Sequence, residues 1–409
     1  MPHRSDRLPG LDLLRAGAAL AVLLAHAAVP YTRVAMPGLV WPVGHRQTHP
    51  AVDALFWLIM TFIMPLFFAI SGYCSAVVLA ERGPREFLAR RVRRILFPFL
   101  AAAVVLLPLE FYLWLLGWVV EGRLAPRKLL SLKLEALHQD LWGFSHLWYL
   151  QYLFLISLTY AGWMRFRSTR ETSDGRLHLY RRRNLLAGAF PPGMATMNAR
   201  GSWLLPVLRT AALAAAILAL SPRTLVGFQH GFLPFPAKFA LSAVFFGFGV
   251  SLRGAAVPSR AARWTMLGGL AVATSVLLPW VHAEACVPLA GWSRIALGLV
   301  LGCFATLAVA CCWWGIAARK GAAGPTAGFL AGASFWIYLV HHPLVALCQI
   351  ALAMTVLSAV AQFALAAALS LGLSVASYEV LVRKTRLGAF LNGRTTPAPV
   401  PAEGLRTAA

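Results

Sequence analysis

The chain has 409 residues, of which 59% are hydrophobic and 12% charged, with a mean hydropathy of +0.69. Soluble domains are less apolar and more charged, so the composition excludes a water-soluble globular enzyme. The formal net charge of +23 arises from 37 Lys and Arg against 14 Asp and Glu. These bases stand in short runs between long apolar stretches rather than on one basic face, which disfavours a nucleic-acid-binding protein and is typical of a polytopic membrane protein.

Ten apolar stretches are long enough to cross a bilayer, whose core of about 30 Å needs roughly 20 residues per helix. We therefore predict an all-α membrane bundle with spans at 12–30, 52–80, 95–119, 145–164, 203–220, 237–252, 264–282, 294–316, 327–353 and 358–382. With a cytoplasmic N-terminus, 26 of the 37 bases fall on the cytoplasmic side and 9 on the other. This asymmetry favours ten helices with both termini in the cytoplasm.

One transmembrane domain is predicted over residues 1–391, with a basic cytoplasmic loop at about 165–202 and a disordered tail at 392–409. The N-terminus has a competing interpretation, because the first apolar run ends in Ala25-His26-Ala27 and resembles a signal-peptide cleavage site. The six cysteines lie in apolar stretches without metal-type spacing and indicate packing residues. The sequence implies no metal and no tightly bound cofactor.

The first span contains two ionisable residues, Arg15 and His26, that a simple membrane helix does not need. They are eleven residues apart, so they project from nearly the same helix face with about 16 Å between them along the axis. Asp12 can pair with Arg15 at i,i+3 and orient its guanidinium. Arg15 then offers a fork for a phosphate, and His26 offers a base that titrates near neutral pH. Alternatively, Arg15 reaches the interface and His26 bonds a neighbouring helix.

A cluster of arginines, Arg90-Arg91-Val92-Arg93-Arg94, stands between the second and third spans. Arg91 and Arg94 are one turn apart at the head of a helix, where free backbone N–H groups also favour an anion. The cluster therefore indicates a phosphate clamp, although a positive-inside anchor accounts for it as well. The two interpretations are compatible.

Further polar residues lie beside aromatic residues at the ends of spans. His146 and Trp148 open the fourth span, and His341 lies in the ninth. Three histidines on three helices, His26 included, favour a shared cavity, in which imidazole and indole groups could bind a sugar. Interfacial Trp and Tyr are also ordinary membrane anchors. Ser71 precedes Gly72, which allows close helix approach, and it lacks the Gly-x-Ser-x-Gly context of a serine hydrolase.

Several motifs in this order resemble the acyltransferase-3 family of integral membrane proteins, most closely its branch of periplasmic-glucan succinyltransferases. They are Leu11-Asp12-Leu13-Leu14-Arg15 with the Arg-x10-His spacing to His26, Met64-Pro65-Leu66-Phe67-Phe68 through Ser71-Gly72-Tyr73, Phe87 to Arg94 and Pro98, His146-Leu147-Trp148-Tyr149-Leu150, Phe246-Gly247-Phe248-Gly249, Tyr338-Leu339-Val340-His341 and Leu391-Asn392-Gly393-Arg394. The resemblance implies transfer of a succinyl or acetyl group from cytoplasmic acyl-coenzyme A to a hydroxyl of an extracytoplasmic glucan or other envelope carbohydrate. It also implies the bacterial inner membrane, with membrane lipid and the glucan biosynthesis machinery as partners and no nucleic acid.

The resemblance assigns roles to residues one by one. Arg15 and His26 match the catalytic Arg-x10-His pair of the family, and Arg91 and Arg94 match the arginines attributed to coenzyme A binding. His146, Trp148 and His341 would contact the acceptor. The chain departs from many relatives at Ile63, where they have a histidine before Met-Pro. The doubled His341-His342 leaves the functional histidine of that segment ambiguous, although the motif favours His341.

Two other classes of protein are compatible with ten helices and intramembrane charge. A transporter or flippase of a glycan or lipid-linked substrate would be supported by inverted repeats, and the sequence contains none that we detect. A catalytically silent relative that scaffolds envelope glucan synthesis is the other. Thioester chemistry accounts better than either class for the combination of the Arg-x10-His stripe and the arginine cluster.

Overall fold

The computed structural model describes residues 9–44, 47–127, 141, 143–173, 202–317 and 324–393. Every regular element within these ranges is helical. The α-helices are α1 (Pro9–Ala28), α2 (Pro50–Arg91), α3 (Phe97–Val120), α4 (Trp148–Ser173), α5 (Leu204–Leu220), α6 (Arg223–Val226), α7 (Pro236–Leu252), α8 (Arg260–Cys286), α9 (Gly291–Cys312), α10 (Pro325–Leu352), α11 (Ala359–Ser377) and α12 (Arg386–Leu391). Short 3₁₀ turns cover Val29–Tyr31 and Ser145–Leu147, and π-helical turns cover Val92–Leu96, Trp313–Ala317 and Tyr378–Val382.

Each of the ten predicted spans falls on one helix, but the described helices do not all qualify as membrane spans by length and hydropathy. Six segments do: Gly10–Tyr31, Pro50–Val120, Arg260–Cys286, Gly291–Ile316, Pro325–Leu352 and Ala359–Val382. Helices α5 and α7 have 17 residues each, and α4 is long but more polar. The all-helical class and a multi-pass membrane character are therefore confirmed, whereas the count of ten and the cytoplasmic termini stay predictions.

The segment Pro50–Val120 has 71 residues, which at 1.5 Å per residue is roughly 106 Å, more than three bilayer cores. It is interrupted at Gly83, whose φ of +74° is open to glycine and strained for other residues. Pro84 follows and lacks the N–H that an α-helix would use. The break separates the span predicted at 52–80 from the arginine cluster, which continues through the π-helical turn into α3.

Small residues allow α2 and α7 to pack backbone against backbone. The Cα of Gly72 lies against the carbonyl oxygen of Phe246, and that of Gly249 lies against the carbonyl oxygen of Ala69. A side chain at either glycine would overlap backbone atoms of the other helix. This contact explains Gly72 and Gly249 of the two sequence patterns as helix-packing residues.

Helix α1 packs between α2 and α10, and His26 is buried there. Its buried residues Leu14, Ala18, Val22 and Ala25 contribute to the main hydrophobic core. Helix α4 continues to Ser173 and so extends into the segment predicted as a loop. The remainder of that loop, 174–201, and the predicted tail from residue 394 lie outside the described residues.

Candidate functional site

Two histidines on neighbouring helices contact each other at the C-terminal end of α1. The Nδ1 of His26 lies 2.9 Å from the carbonyl oxygen of Val22 and 3.2 Å from the Nε2 of His341. The Nδ1 of His341 lies 2.8 Å from the carbonyl oxygen of Tyr338. Because a carbonyl oxygen only accepts, the neutral form of each ring carries its proton on Nδ1. The Nε2 of His26 then keeps a free lone pair, which is the form that a general base requires.

A cavity of about 60 Å³ adjoins this histidine pair. His26, His146, His341 and Trp148 line it together with Lys238 and mainly apolar side chains. The structure thus brings together the three histidines that the sequence placed on three helices. It also separates the two adjacent histidines of α10, because His341 lines the cavity and His342 does not.

Sequence analysis did not single out Glu110, which lies buried in α3 with 5% of its surface exposed. Its Oε1 is 2.8 Å from the Nδ1 of His146 and 3.2 Å from the Nδ1 of His342. The Nε2 of His146 is 3.0 Å from the carbonyl oxygen of Leu339, and the hydroxyl of Tyr338 donates to the carbonyl of His146 at 2.6 Å. Glu110 is the one acidic residue of the third apolar stretch, and that intramembrane charge was the available signal.

Lys238, in the first turn of α7, is buried in the cavity wall with 6% exposure. Its Nζ donates to the carbonyl of Gln229 and lies 3.4 Å from the centre of the Trp148 ring. No acidic side chain among the described residues forms an ion pair with it. The cavity wall therefore combines the Lys238 amine with the aromatic face of Trp148.

Trp41, in the segment between α1 and α2, packs against His26. Its ring lies parallel to that of His26, with 5.8 Å between centroids and 21° between planes. The indole N–H donates to Oε1 of Gln349 at 2.7 Å, and the amide of Gln349 donates to the carbonyl of Ala27 at 2.8 Å. These bonds fix Trp41 and the end of α1 to α10.

The arginine cluster has a hydrogen-bonded connection to α4. Arg91 donates from Nη2 to the hydroxyl of Ser75 at 2.5 Å, and Ser75 donates to the carbonyl of Ser71. The hydroxyl of Ser71 lies 2.8 Å from that of Tyr149. The Tyr149 ring is in turn 5.7 Å from the ring of Tyr338, which lines the cavity. Side-chain contacts therefore run from Arg91 to the histidine cavity.

Arg94 contacts a different part of the chain. Its Nε donates to the carbonyl of Asn392 at 2.9 Å, just after α12. Gly393 has a φ of +63° and lies directly against the side chain of Arg94, so the Asn392-Gly393 turn fits closely around the arginine cluster. Packing against Arg94 thus explains the Asn392-Gly393 pair of the last sequence motif.

Arg15 is exposed on α1, and Asp12 does not form the expected ion pair with it within the part of the chain that the structure describes. Arg15 and Arg91 nevertheless both act electrostatically on Cys74 and on Tyr149. The two guanidinium groups therefore lie at the same end of the bundle. Arg15 stands about 16 Å from His26 along α1, as the helix rise requires.

Comparison with known proteins identifies a family. The model of the acyltransferase 3 family, described as an acyltransferase domain, matches residues 8–379. The match contains Arg15, His26, Arg91, Arg94 and His341 and covers most of the chain. No curated protein and no solved structure matches the chain. The chain is a membrane acyltransferase of several helices and belongs to the acyltransferase 3 family.

Proposed function

We propose that the protein transfers an acyl group from cytoplasmic acyl-coenzyme A to a hydroxyl of an extracytoplasmic envelope carbohydrate, in the bacterial inner membrane. The observation that carries this proposal is the contact between His26 and His341 at the wall of a cavity that also contains His146 and Trp148. The glucan succinyltransferase branch supplies the most specific acceptor and acyl group, a periplasmic glucan and a succinyl group. An acetyl group is the alternative.

His26 is the general base in this proposal. Its Nε2 takes the proton of the acceptor hydroxyl while that oxygen bonds to the acyl carbon, and the carbon–sulfur bond breaks. The thiolate of coenzyme A then takes the proton from His26. The Nδ1–H of His26 stays shared between the Val22 carbonyl and Nε2 of His341, which holds the ring in orientation as it becomes charged. Such a base contributes about 100- to 10,000-fold to the rate.

Coenzyme A binds at the arginine end in this proposal. Arg91 and Arg94 contact its phosphates, and Arg15 guides the acyl-pantetheine arm into the bundle. The electrostatic influence of both Arg15 and Arg91 on Cys74 and Tyr149 supports this assignment, as do the contacts that lead from Arg91 through Ser71 to the cavity. The acceptor lies on the His146 and Trp148 side, where the indole face can stack on a sugar ring.

Acyl transfer by purified protein in nanodiscs tests the proposal, with labelled succinyl- and acetyl-coenzyme A and an isolated envelope glucan. His26→Ala is expected to lower kcat at least about 100-fold, because the general base is removed. His49→Ala is the matched control, since His49 caps α2 by accepting from the Ala51 amide and lies away from the cavity lining. Undiminished transfer by His26→Ala would contradict the assigned base.

A second experiment identifies the substrates and separates transfer from transport. Mass spectrometry of envelope glycans from a deletion strain should show the loss of one acyl mass increment, which names the group and its carrier together. In proteoliposomes, movement of labelled carbohydrate with the thioester intact would instead favour a transporter or flippase. Consumption of the thioester with ester formation excludes that rival and the silent scaffold.

A further inference from the structure

We propose that Glu110, His146 and His342 form a binding site for a divalent transition metal ion, and that the ion is Zn²⁺. The three residues come from separate parts of the chain: α3, the turn before α4, and α10. All three side chains are buried, with exposures of 6%, 3% and 2%. Two imidazoles and one carboxylate are the donor set of many open zinc sites.

The distances between the donor atoms fit a shared ion. The Oε1 of Glu110 is 2.8 Å from the Nδ1 of His146 and 3.2 Å from the Nδ1 of His342, and the three donor atoms lie within 4.8 Å of one another. Ligands about 2.0 to 2.1 Å from a tetrahedral zinc ion are separated by about 3.4 Å. Small adjustments would therefore admit the ion.

Four buried polar atoms of the cluster lack a hydrogen-bond partner within the described residues, and an ion would complete three of them, the fourth being the Nε2 of His342. Glu110 Oε1, His146 Nδ1 and His342 Nδ1 are buried, and none of them makes a hydrogen bond of good geometry within the described ranges, despite their short separations. Buried polar atoms without partners are costly, so they require a further group. Three atoms that converge without pointing along hydrogen bonds are arranged as ligands around a common centre.

His146 shows the second hydrogen bond that a metal-bound histidine makes. Its Nε2 donates to the carbonyl of Leu339, which leaves a lone pair on Nδ1 facing the Glu110 carboxylate. A lone pair against a carboxylate is repulsive unless a cation lies between them. A proton is the competing cation, but it satisfies one nitrogen and leaves His342 without a bond of good geometry to the carboxylate.

The surroundings of the cluster keep the site dry and place it beside the candidate base. The rings of Trp41 and Trp114 lie 5.1 and 5.2 Å from the ring of His342, and His26 lies 4.9 Å from it on another side. A bound ion would neutralise the buried carboxylate and fix His146 at the cavity wall. The inference does not rest on the proposed acyl transfer.

Zinc content of the purified full-length protein tests the site. The protein is prepared with an affinity tag free of histidines, stripped with a chelator, titrated with ZnCl₂ and analysed by mass spectrometry for zinc per chain. We expect about one zinc ion per chain in the wild type. Glu110→Gln and His342→Ala should each weaken zinc binding at least about tenfold. Glu284→Gln should bind as the wild type, because Glu284 is a buried carboxylate outside the cluster that accepts from the Leu289 amide.

Cobalt provides a spectroscopic signature that does not depend on activity. Co²⁺ added to the stripped wild type should give the visible absorption of a tetrahedral site, and this absorption should be absent from His342→Ala. A wild-type protein that binds no zinc above the buffer blank, or a monodisperse Glu110→Gln variant with unchanged zinc affinity, would overturn the proposal. If Glu110→Gln fails to fold, the wild-type stoichiometry and the His342→Ala titration still decide the question.

Discussion

His341 and His342 are adjacent in sequence and have different neighbours in the structure. Successive residues of an α-helix point about 100° apart, so one ring reaches His26 and the cavity while the other reaches Glu110. The sequence motif favoured His341 as the functional histidine of this pair, and the placement in the cavity is consistent with that preference. The different neighbours of the two rings follow from the positions of α1 and α3 around α10.

Replacement of His341 should therefore affect catalysis by way of His26. We expect His341→Ala to lower kcat for acyl transfer at least about tenfold, because His26 loses the acceptor at its Nδ1. His341→Gln should retain more activity, since its amide oxygen can accept the same proton. Steady-state kinetics with saturating acyl-coenzyme A give the comparison. Equal losses in the two variants would indicate a purely structural role.

Arg91 and Arg90 provide a matched pair for the phosphate assignment. Arg91 points to Ser75 on the inside, whereas Arg90 pairs with Glu86 on the exposed side. Arg91→Gln should raise KM for acyl-coenzyme A about 10- to 100-fold, as the loss of a hydrogen bond to a charged group predicts. Arg90→Gln should leave KM within about twofold, because an exposed ion pair contributes little. Similar KM values for both variants would contradict a specific phosphate contact at Arg91.

At the level of helices, hydropathy predicted the positions of the elements because each apolar run is long and interrupted by polar turns. It could not predict which helices meet. Glu110, His146 and His342 are separated by up to 232 positions and contact one another only in the folded bundle. The Asp12–Arg15 pair is the opposite case. Its i,i+3 spacing predicts an ion pair that the described part of the chain does not contain. Local spacing shows what a helix allows, and the neighbouring helices determine what forms.

The contact between α2 and α7 depends on glycines and gives a stability prediction. Gly249→Ala should destabilise the protein by about 1 to 3 kcal/mol, because the new Cβ would overlap the carbonyl of Ala69. Gly247→Ala on the same helix is the control, since nothing lies within 4 Å of its Cβ position. Thermal unfolding in detergent, followed by size-exclusion chromatography, measures the difference. A Gly249→Ala variant as stable as Gly247→Ala would argue against this close helix packing.

For the whole molecule, the distribution of charge predicts orientation. With 26 of 37 bases assigned to the cytoplasmic side, a fluorescent reporter fused after Gly393 should be active and an alkaline phosphatase fused there should not. A phosphatase fused after residue 122, in the loop that follows α3, should be active in the periplasm. The opposite pattern would invert the topology, and two cytoplasmic results would show that an even number of spans lies between residues 122 and 393.

The position of Trp41 has a consequence for side reactions. Its ring covers one face of His26 and donates a hydrogen bond to Gln349, so the proposed base is shielded on that face, at the end of α1 opposite Arg15. A thioester that reaches His26 before a carbohydrate arrives would meet little bulk water. A hydroxyl that approaches from that end must first displace the indole. A sugar ring can offset this cost by stacking on the indole, whereas a lone water molecule cannot. The same tryptophan could thus set the ratio of productive transfer to wasteful hydrolysis.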